Sequence, residues 1–172
     1  MSSHQPVIAS TVFLAAIAHA ACDRTGSANG PQVYGTVTLV NRVSASVRVE
    51  HCPTCASTLE AALRQRLSAV DVSVSLERQT VDLEFPPSSP FASVSFREAV
   101  KEGGADVQRV DIEACGTIDT VDGQSWIKSG SARLLLDGPG FVTGTEVCVT
   151  GELQDQARPP RLVPGKRVSS PS

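Results

Sequence analysis

Five cysteines carry most of the chemical information in this chain of 172 residues. Two of them, Cys52 and Cys55, form a Cys-Pro-Thr-Cys motif, and thiols at this spacing can converge on one point. Paired thiolates are soft ligands for Cu(I), Hg(II) or Zn(II), and the same pair can also close a disulfide or exchange one with a substrate. Because Zn(II) normally takes four ligands and the sequence has no second Cys-x-x-Cys motif or His pair, we expect Cu(I) or Hg(II) ahead of Zn(II).

The motif stands where a predicted strand gives way to a predicted helix. Alternating valines predict a strand over residues 46–50, and Leu59, Leu63 and Leu67 recur at the spacing of an amphipathic helix. The N-terminus of a helix offers free backbone N–H groups and the positive end of the helix dipole, and both favour the thiolate form of a nearby cysteine. His51 directly precedes the motif, so it is a candidate for a minor third ligand.

The same alternation of strands and helices continues to residue 112. Apolar and polar residues alternate over residues 70–76 and 81–85, which predicts a hairpin, and a second helix and a last strand follow at about 95–102 and 107–112. The resulting order, strand, helix, strand, strand, helix, strand, is the split βαβ or ferredoxin-like arrangement. We therefore expect a ferredoxin-like domain over residues 35–113.

The residues after Cys115 lack helical periodicity. Short strands separated by Gly-containing turns are predicted at residues 116–121, 125–128, 132–136, 146–153 and 161–163. Such spacing is typical of a small sandwich or barrel, and its pattern resembles a reduced OB-type barrel. The predicted fold class is therefore α+β, in which the ferredoxin-like βαββαβ domain is followed by a small all-β module over residues 114–168 and a tail over residues 169–172.

Residues 46–112 resemble the heavy-metal-associated domain family, which includes copper chaperones and the periplasmic mercury-binding protein. The resemblance rests on the Cys-x-x-Cys motif, on Leu59 and Leu63 in the first helix, and on the alternating stretch over residues 70–83. It implies a ferredoxin-like fold, one soft metal ion held by the two cysteines of the motif, and transfer of that ion to a partner protein by ligand exchange. The chain departs from the family at Glu50, where the family usually has a methionine.

Two alternatives to metal binding remain for the motif. A disulfide between Cys52 and Cys55 would make the protein an exported structural or interaction protein. Cys-Pro-x-Cys also occurs in thiol–disulfide oxidoreductases, although the predicted element order is not that of thioredoxin. The chain has three histidines and no Gly-rich phosphate loop followed by Lys, which leaves His51 alone to serve a Ser-His-Asp triad. We therefore expect a binding protein and no enzymatic activity.

The first 21 residues are typical of a signal peptide. They contain an uncharged apolar stretch over residues 7–18, which has the length of a signal-peptide core and is too short to span a bilayer. Two processing sites remain open, one after Ala20 and one at a lipobox-like Ala-Ala-Cys ending in Cys22. The polar residues 22–34 predict a flexible tether. We expect export to the bacterial periplasm, with a membrane lipid anchor on Cys22 favoured over free secretion and a metal-donor or metal-acceptor protein of the envelope as partner.

The other four cysteines allow three pairings, and the sequence does not choose among them. Cys115 and Cys148 lie in or beside predicted strands, away from any helix N-terminus. They are expected to be structural, either as a disulfide or as two buried thiols.

The charge of the chain argues against a nucleic-acid partner. Its 15 Lys and Arg residues and 18 Asp and Glu residues give a net charge of −3, and no long basic run is present. Binding to nucleic acids depends on clustered positive charge, which this sequence lacks.

Overall fold

The computed structural model describes residues 36–50 and 52–169. The predicted signal peptide and tether lie outside these residues together with Cys22, and so do His51 and residues 170–172. Among the described residues, no helix is both long enough and apolar enough to cross a membrane. Lipid attachment at Cys22 and ligation by His51 therefore stay predictions.

Strands dominate the described part of the chain. The elements follow one another as β1 (Thr36–Val49), α1 (Cys55–Arg66), β2 (Asp71–Ser75), β3 (Thr80–Ala92), α2 (Ser93–Glu102), β4 (Ala105–Val121), β5 (Gln124–Ser129), β6 (Ala132–Leu136), β7 (Glu146–Gln154) and β8 (Arg161–Ser169). Apolar residues recur at the helical period over two short stretches only, whereas alternation of apolar and polar residues accounts for most strands.

The strands form one sheet that closes on itself. Their order is β2-β3-β1-β4-β5-β6-β8-β7, and β7 also pairs with β4. The strands β4, β5, β6, β8 and β7 thus form a closed five-stranded barrel, in which β6 and β8 are parallel and the other neighbours antiparallel. The remaining strands, β1, β3 and β2, extend the sheet outward from the first part of β4.

The predicted fold class, a ferredoxin-like α+β domain followed by a small OB-like module, is wrong. The described chain is mostly β, with a closed barrel and three added strands. The sequence pattern ended one strand at Ile112 and began another at Gly116, but β4 runs unbroken through both positions. Its first part pairs with β1, and its later part pairs with β5 and β7. One strand therefore belongs to both of the regions that the prediction separated.

Glycines allow the barrel strands to approach closely where β4 and β7 would otherwise clash with their neighbours. A Cβ atom at Gly116 would collide with the backbone carbonyl of Lys128 on β5, and one at Gly151 would collide with the carbonyl of Val163 on β8. Gly116 interrupts the apolar alternation and so looks like a strand end. In the structure it is instead a place inside β4 that only glycine fits.

The two helices cover the apolar side of the added strands. Leu59 and Leu63 of α1 and Phe96 of α2 are fully buried in the same core as the inward residues of β1 and β3. At the end of α2, a Cβ atom on Gly103 would lie 2.8 Å from the Cα atom of Leu59, which shows how closely the helices meet. This packing fixes α1, and therefore the Cys-x-x-Cys motif at its start.

An ion pair ties the helical layer to the barrel. Arg97 of α2 donates two hydrogen bonds of 2.9 and 3.0 Å to the carboxylate of Asp155, in the turn between β7 and β8. The Asp155 side chain is only 8% exposed, and that of Arg97 is 34% exposed. Burial raises the pKa of Asp155, but the hydrogen bonds and charge of Arg97, together with a hydrogen bond from Ser93, outweigh it, so this pKa lies below its ordinary value.

Candidate functional site

The end of β1 that leads into the motif is held by the turn between β2 and β3. The backbone N–H of Val47 donates to the carbonyl of Gln79 at 2.9 Å. The Gln79 side-chain amide donates back to the carbonyl of Val49 at 3.4 Å. Gln79 takes a φ of 52°, which turns its backbone toward β1. The last residues of β1 are therefore anchored by contacts outside their own strand ladder.

The loop that follows turns at once into α1. The N–H of Cys52 donates to the carbonyl of Glu50 at 3.1 Å, and the N–H of Cys55 donates to the carbonyl of Cys52 at 3.2 Å. Thr54 is the N-cap residue, and its carbonyl accepts the first helical hydrogen bond, from Thr58 at 3.0 Å. These short-range bonds bring the two cysteines to the same end of the helix.

Cys52 and Cys55 are bonded to each other in the structure, with Cα atoms 5.2 Å apart. Both are partly buried, whereas the intervening Pro53 and Thr54 are exposed. Cys55 packs against the edge of the core, in agreement with its position one turn before Leu59. The pair thus packs against the core through Cys55, and the loop residues Pro53 and Thr54 between the two cysteines face solvent.

The electrostatic surroundings of the pair favour negative charge on sulfur. The first turn of α1 contains no acidic residue, and Thr54 makes no side-chain capping hydrogen bond. The unpaired N–H groups and the positive end of the helix dipole are therefore not compensated by a carboxylate of the helix. A reduced thiolate at this position would supply the missing negative charge.

The described residues offer few ligands besides this pair. Among them, no cluster of three or more His, Cys, Asp or Glu side chains is arranged to hold a metal ion. The predicted third ligand, His51, lies outside the described residues. Within the described chain, the site therefore consists of two sulfur atoms, which can bind metal only after their bond is reduced.

The second cysteine pair lies in the barrel. Cys115 of β4 and Cys148 of β7 stand opposite each other in the ladder and are bonded, although they are 33 positions apart in sequence. The side-chain amide of Asn41 on β1 donates to the sulfur of Cys115 at 3.1 Å. The structure thus contains one of the three pairings that the sequence allowed, 52 with 55 and 115 with 148.

Sequence reasoning missed the contacts that support these elements. Gln79 has no local signal that distinguishes it from an ordinary turn residue, although its backbone and side chain both reach β1. Asp155 likewise looks like a turn former, yet its carboxylate is buried against Arg97. Both roles depend on partners about 30 or more positions away, which periodicity does not reveal.

Comparisons with known proteins add no family to these observations: no family profile, curated protein or solved structure matches the chain.

Proposed function

We propose that the protein is an exported metal-binding protein whose reduced Cys52–Cys55 pair holds one thiophilic ion, Cu(I) or Hg(II) ahead of Zn(II). The observation that carries the proposal is the convergence of two sulfur atoms at an uncapped helix N-terminus, without a third ligand among the described residues. Cu(I) and Hg(II) accept two sulfur ligands, whereas Zn(II) normally takes four.

Metal binding requires the bridge to open first. An external dithiol delivers two electrons and two protons to the Cys52–Cys55 disulfide and is itself oxidised to a disulfide. The two thiols then lose their protons as the metal binds, so binding weakens as the pH falls and protons compete for sulfur. In this proposal the redox state of the pair decides whether the site exists.

The exposure of the loop supports transfer of the ion to or from another protein. Pro53 and Thr54 are exposed between the cysteines, and each cysteine is itself only partly buried. An incoming thiolate from a metal-donor or metal-acceptor protein can therefore approach the bound ion. Exchange of one sulfur ligand for another then proceeds without unfolding α1, since Leu59 and Leu63 hold the helix in the core.

A second candidate function follows from the bond that the structure contains. In an oxidising compartment the Cys52–Cys55 disulfide would persist, and the protein would be a structural or interaction protein without a metal. The two candidates differ in what happens after mild reduction, which makes them separable by experiment.

The test is anaerobic competition for Cu(I) between the mildly reduced mature protein and the chromophoric chelator bathocuproine disulfonate. Reduction is adjusted until alkylation finds Cys52 and Cys55 free and the barrel bridge intact. We expect one Cu(I) per chain for the wild type and loss of binding in Cys52→Ser, because a single thiolate remains. Ser57→Ala, which changes an exposed hydroxyl of the same helical turn, is the matched control and should bind as the wild type does.

Equal metal retention by wild type and Cys52→Ser would place the site elsewhere. Failure of the reduced wild type to take Cu(I) or Hg(II) would favour the structural candidate. Turnover of a small disulfide substrate by the wild type, but not by Cys52→Ser, would instead indicate thiol–disulfide exchange and contradict both candidates.

A further inference from the structure

The two sulfurs of the Cys52–Cys55 bridge have different surroundings. Among the partly buried apolar residues of the described chain, Cys55 packs against the core and Cys52 does not. The Cys52 sulfur lies instead 3.8 Å from the hydroxyl of Thr54, an exposed loop residue. The Cys52 sulfur is therefore at the loop surface, and the Cys55 sulfur is at the edge of the core.

This difference affects how an external thiol reaches the bridge. A thiolate that opens a disulfide attacks one sulfur from the side opposite the other sulfur, and the rate depends on access to the attacked atom. Attack on Cys55 needs room on the side of its sulfur that faces away from Cys52, and the core already packs against that residue. Access therefore favours attack on Cys52.

The leaving sulfur is favoured by the helix. It keeps the electron pair of the broken bond and departs as a thiolate. Cys55 is the first residue of α1, whose first turn contains no acidic residue and whose N-cap, Thr54, makes no side-chain capping bond. The unpaired N–H groups and the positive end of the dipole stabilise a thiolate at this position. The Thr54 hydroxyl favours the opposite outcome, a thiolate on Cys52, but at 3.8 Å that contact is weak.

We propose that external thiols enter the site through Cys52 and that Cys55 is the leaving sulfur. An external thiolate bonds to the Cys52 sulfur as the bond to Cys55 breaks. A second external thiolate then attacks the external sulfur of this mixed disulfide, so that Cys52 is released and the reductant becomes a disulfide. The two protons of the reductant end on the two cysteines. The inference rests on the proposed function only in naming the sulfur through which the bridge opens for metal.

The experiment locates the mixed disulfide directly. The oxidised mature protein, with Cys22→Ser to remove the remaining thiol, is mixed with glutathione and quenched in acid after short times. Acid protonates the thiolates and stops exchange, so peptic digestion and mass spectrometry show which cysteine carries the glutathione. We expect Cys52 to carry it at least about threefold more often than Cys55, because access and leaving-group stability both favour that product.

A second measurement isolates access. Cys55→Ser and Cys52→Ser each retain one sulfur of the pair and are loaded with thionitrobenzoate, so that the same coloured thiol leaves in both. Thiolysis by glutathione should be at least about threefold faster in Cys55→Ser, whose mixed disulfide is on Cys52.

A third measurement isolates the helix. Ser57→Glu places a carboxylate in the first turn of α1 at an exposed position, and Gln65→Glu, the matched control, makes the same charge change at an exposed position near the other end. We expect glutathione to open the bridge about twofold more slowly in Ser57→Glu and at the wild-type rate in Gln65→Glu. Thiolysis of the Cys52 mixed disulfide should not respond to Ser57→Glu, which separates the leaving-group effect from repulsion of glutathione.

Equal labelling of the two cysteines, a majority of glutathione on Cys55, equal thiolysis of the two mixed disulfides, or equal opening in Ser57→Glu and Gln65→Glu would overturn the proposal. None of these measurements uses a metal. The proposal can therefore fail while the reduced pair binds Cu(I), and it can hold while the reduced pair binds none.

Discussion

The two cysteine pairs of this chain have the same chemistry in opposite settings. Cys52 and Cys55 are three positions apart and join a loop to the start of a helix. Cys115 and Cys148 are 33 positions apart and join two strands of the closed barrel. In the chain-entropy model the longer connection is worth about 3–4 kcal/mol and the shorter one about 2 kcal/mol. Sequence separation alone therefore gives the barrel pair the greater part in stability.

The surroundings widen this difference. The barrel pair has ladder partners on both sides along β4 and β7, and Asn41 contacts one of its sulfurs. The loop pair lies on an exposed turn, and its helix is held by Leu59 and Leu63 rather than by the bridge. A bridge whose opening leaves the fold in place is available for redox or metal chemistry, whereas one that helps to close a barrel is not.

The largest expected effect comes from removing the barrel bridge. The double variant Cys115→Ser/Cys148→Ser should lose about 3–4 kcal/mol of unfolding free energy, because its unfolded chain regains the entropy of a long loop. Cys52→Ser/Cys55→Ser should lose no more than about 2 kcal/mol for the same reason. Urea unfolding without reductant measures both values. Equal losses of unfolding free energy would mean that the barrel bridge contributes no more to stability than the loop bridge.

The next effect concerns the ion pair that connects the helical layer to the barrel. Asp155→Asn leaves Arg97 without its carboxylate and should cost about 1–3 kcal/mol, less than a fully buried pair because Arg97 is partly exposed. Asp111→Asn is the matched control, since Asp111 makes two similar hydrogen bonds with Arg109 on an exposed surface. That control should cost under about 1 kcal/mol.

The same pair makes a prediction about pH. Because the pKa of Asp155 is lowered in the folded state, its contribution is complete above the unfolded value of 3.8 and is lost as the pH falls through the folded pKa. The difference in unfolding free energy between the wild type and Asp155→Asn should therefore be constant at neutral pH and shrink below about pH 4. A difference that grows on acidification would contradict the lowered pKa.

These contacts also show which parts of the fold the sequence could predict. Local patterns located α1, which buries Leu59 and Leu63 on one face, and the strand at residues 132–136, whose last three residues are all buried. The prolines at positions 86, 87 and 90 predicted that the strand ends at residue 85, yet β3 continues to Ala92. The pairing of β3 with β2 ends at Glu84, so the prolines lie where β3 pairs with β1 alone. At these positions fewer backbone N–H groups of β3 are needed for ladder hydrogen bonds, and proline is tolerated.

The two cysteine pairs likewise differ in how far the sequence predicts them. The spacing of Cys52 and Cys55 predicts their convergence, because a single turn of chain decides it. The pairing of Cys115 with Cys148 depends on the register of β4 against β7, which involves residues more than 30 positions apart. No local pattern encodes that register, so the sequence alone allows three pairings of these four cysteines.

A smaller effect should appear in the order of reduction. With increasing dithiol concentration, Cys52–Cys55 should open before Cys115–Cys148. The loop pair can separate while Leu59 and Leu63 keep α1 in the core, whereas the β4–β7 ladder holds the sulfurs of the barrel pair together. Alkylation followed by peptide mapping gives the fraction of each bridge that is open. Simultaneous opening of the two bridges would show that the loop pair is as tightly coupled to the fold as the barrel pair.

The smallest effect isolates the anchor at the end of β1. Gln79→Asn keeps a residue type that tolerates positive φ but shortens the amide that donates to the carbonyl of Val49. At 3.4 Å this hydrogen bond is weak, so its loss should loosen the loop by about 0.5 kcal/mol and speed reduction of Cys52–Cys55 about twofold. Gln156→Asn, in the exposed turn between β7 and β8, is the matched control and should leave the rate unchanged. The barrel bridge should respond to neither variant. Acceleration of both bridges by Gln79→Asn would mean that the substitution destabilises the whole fold, and the anchor would then not be specific to the motif.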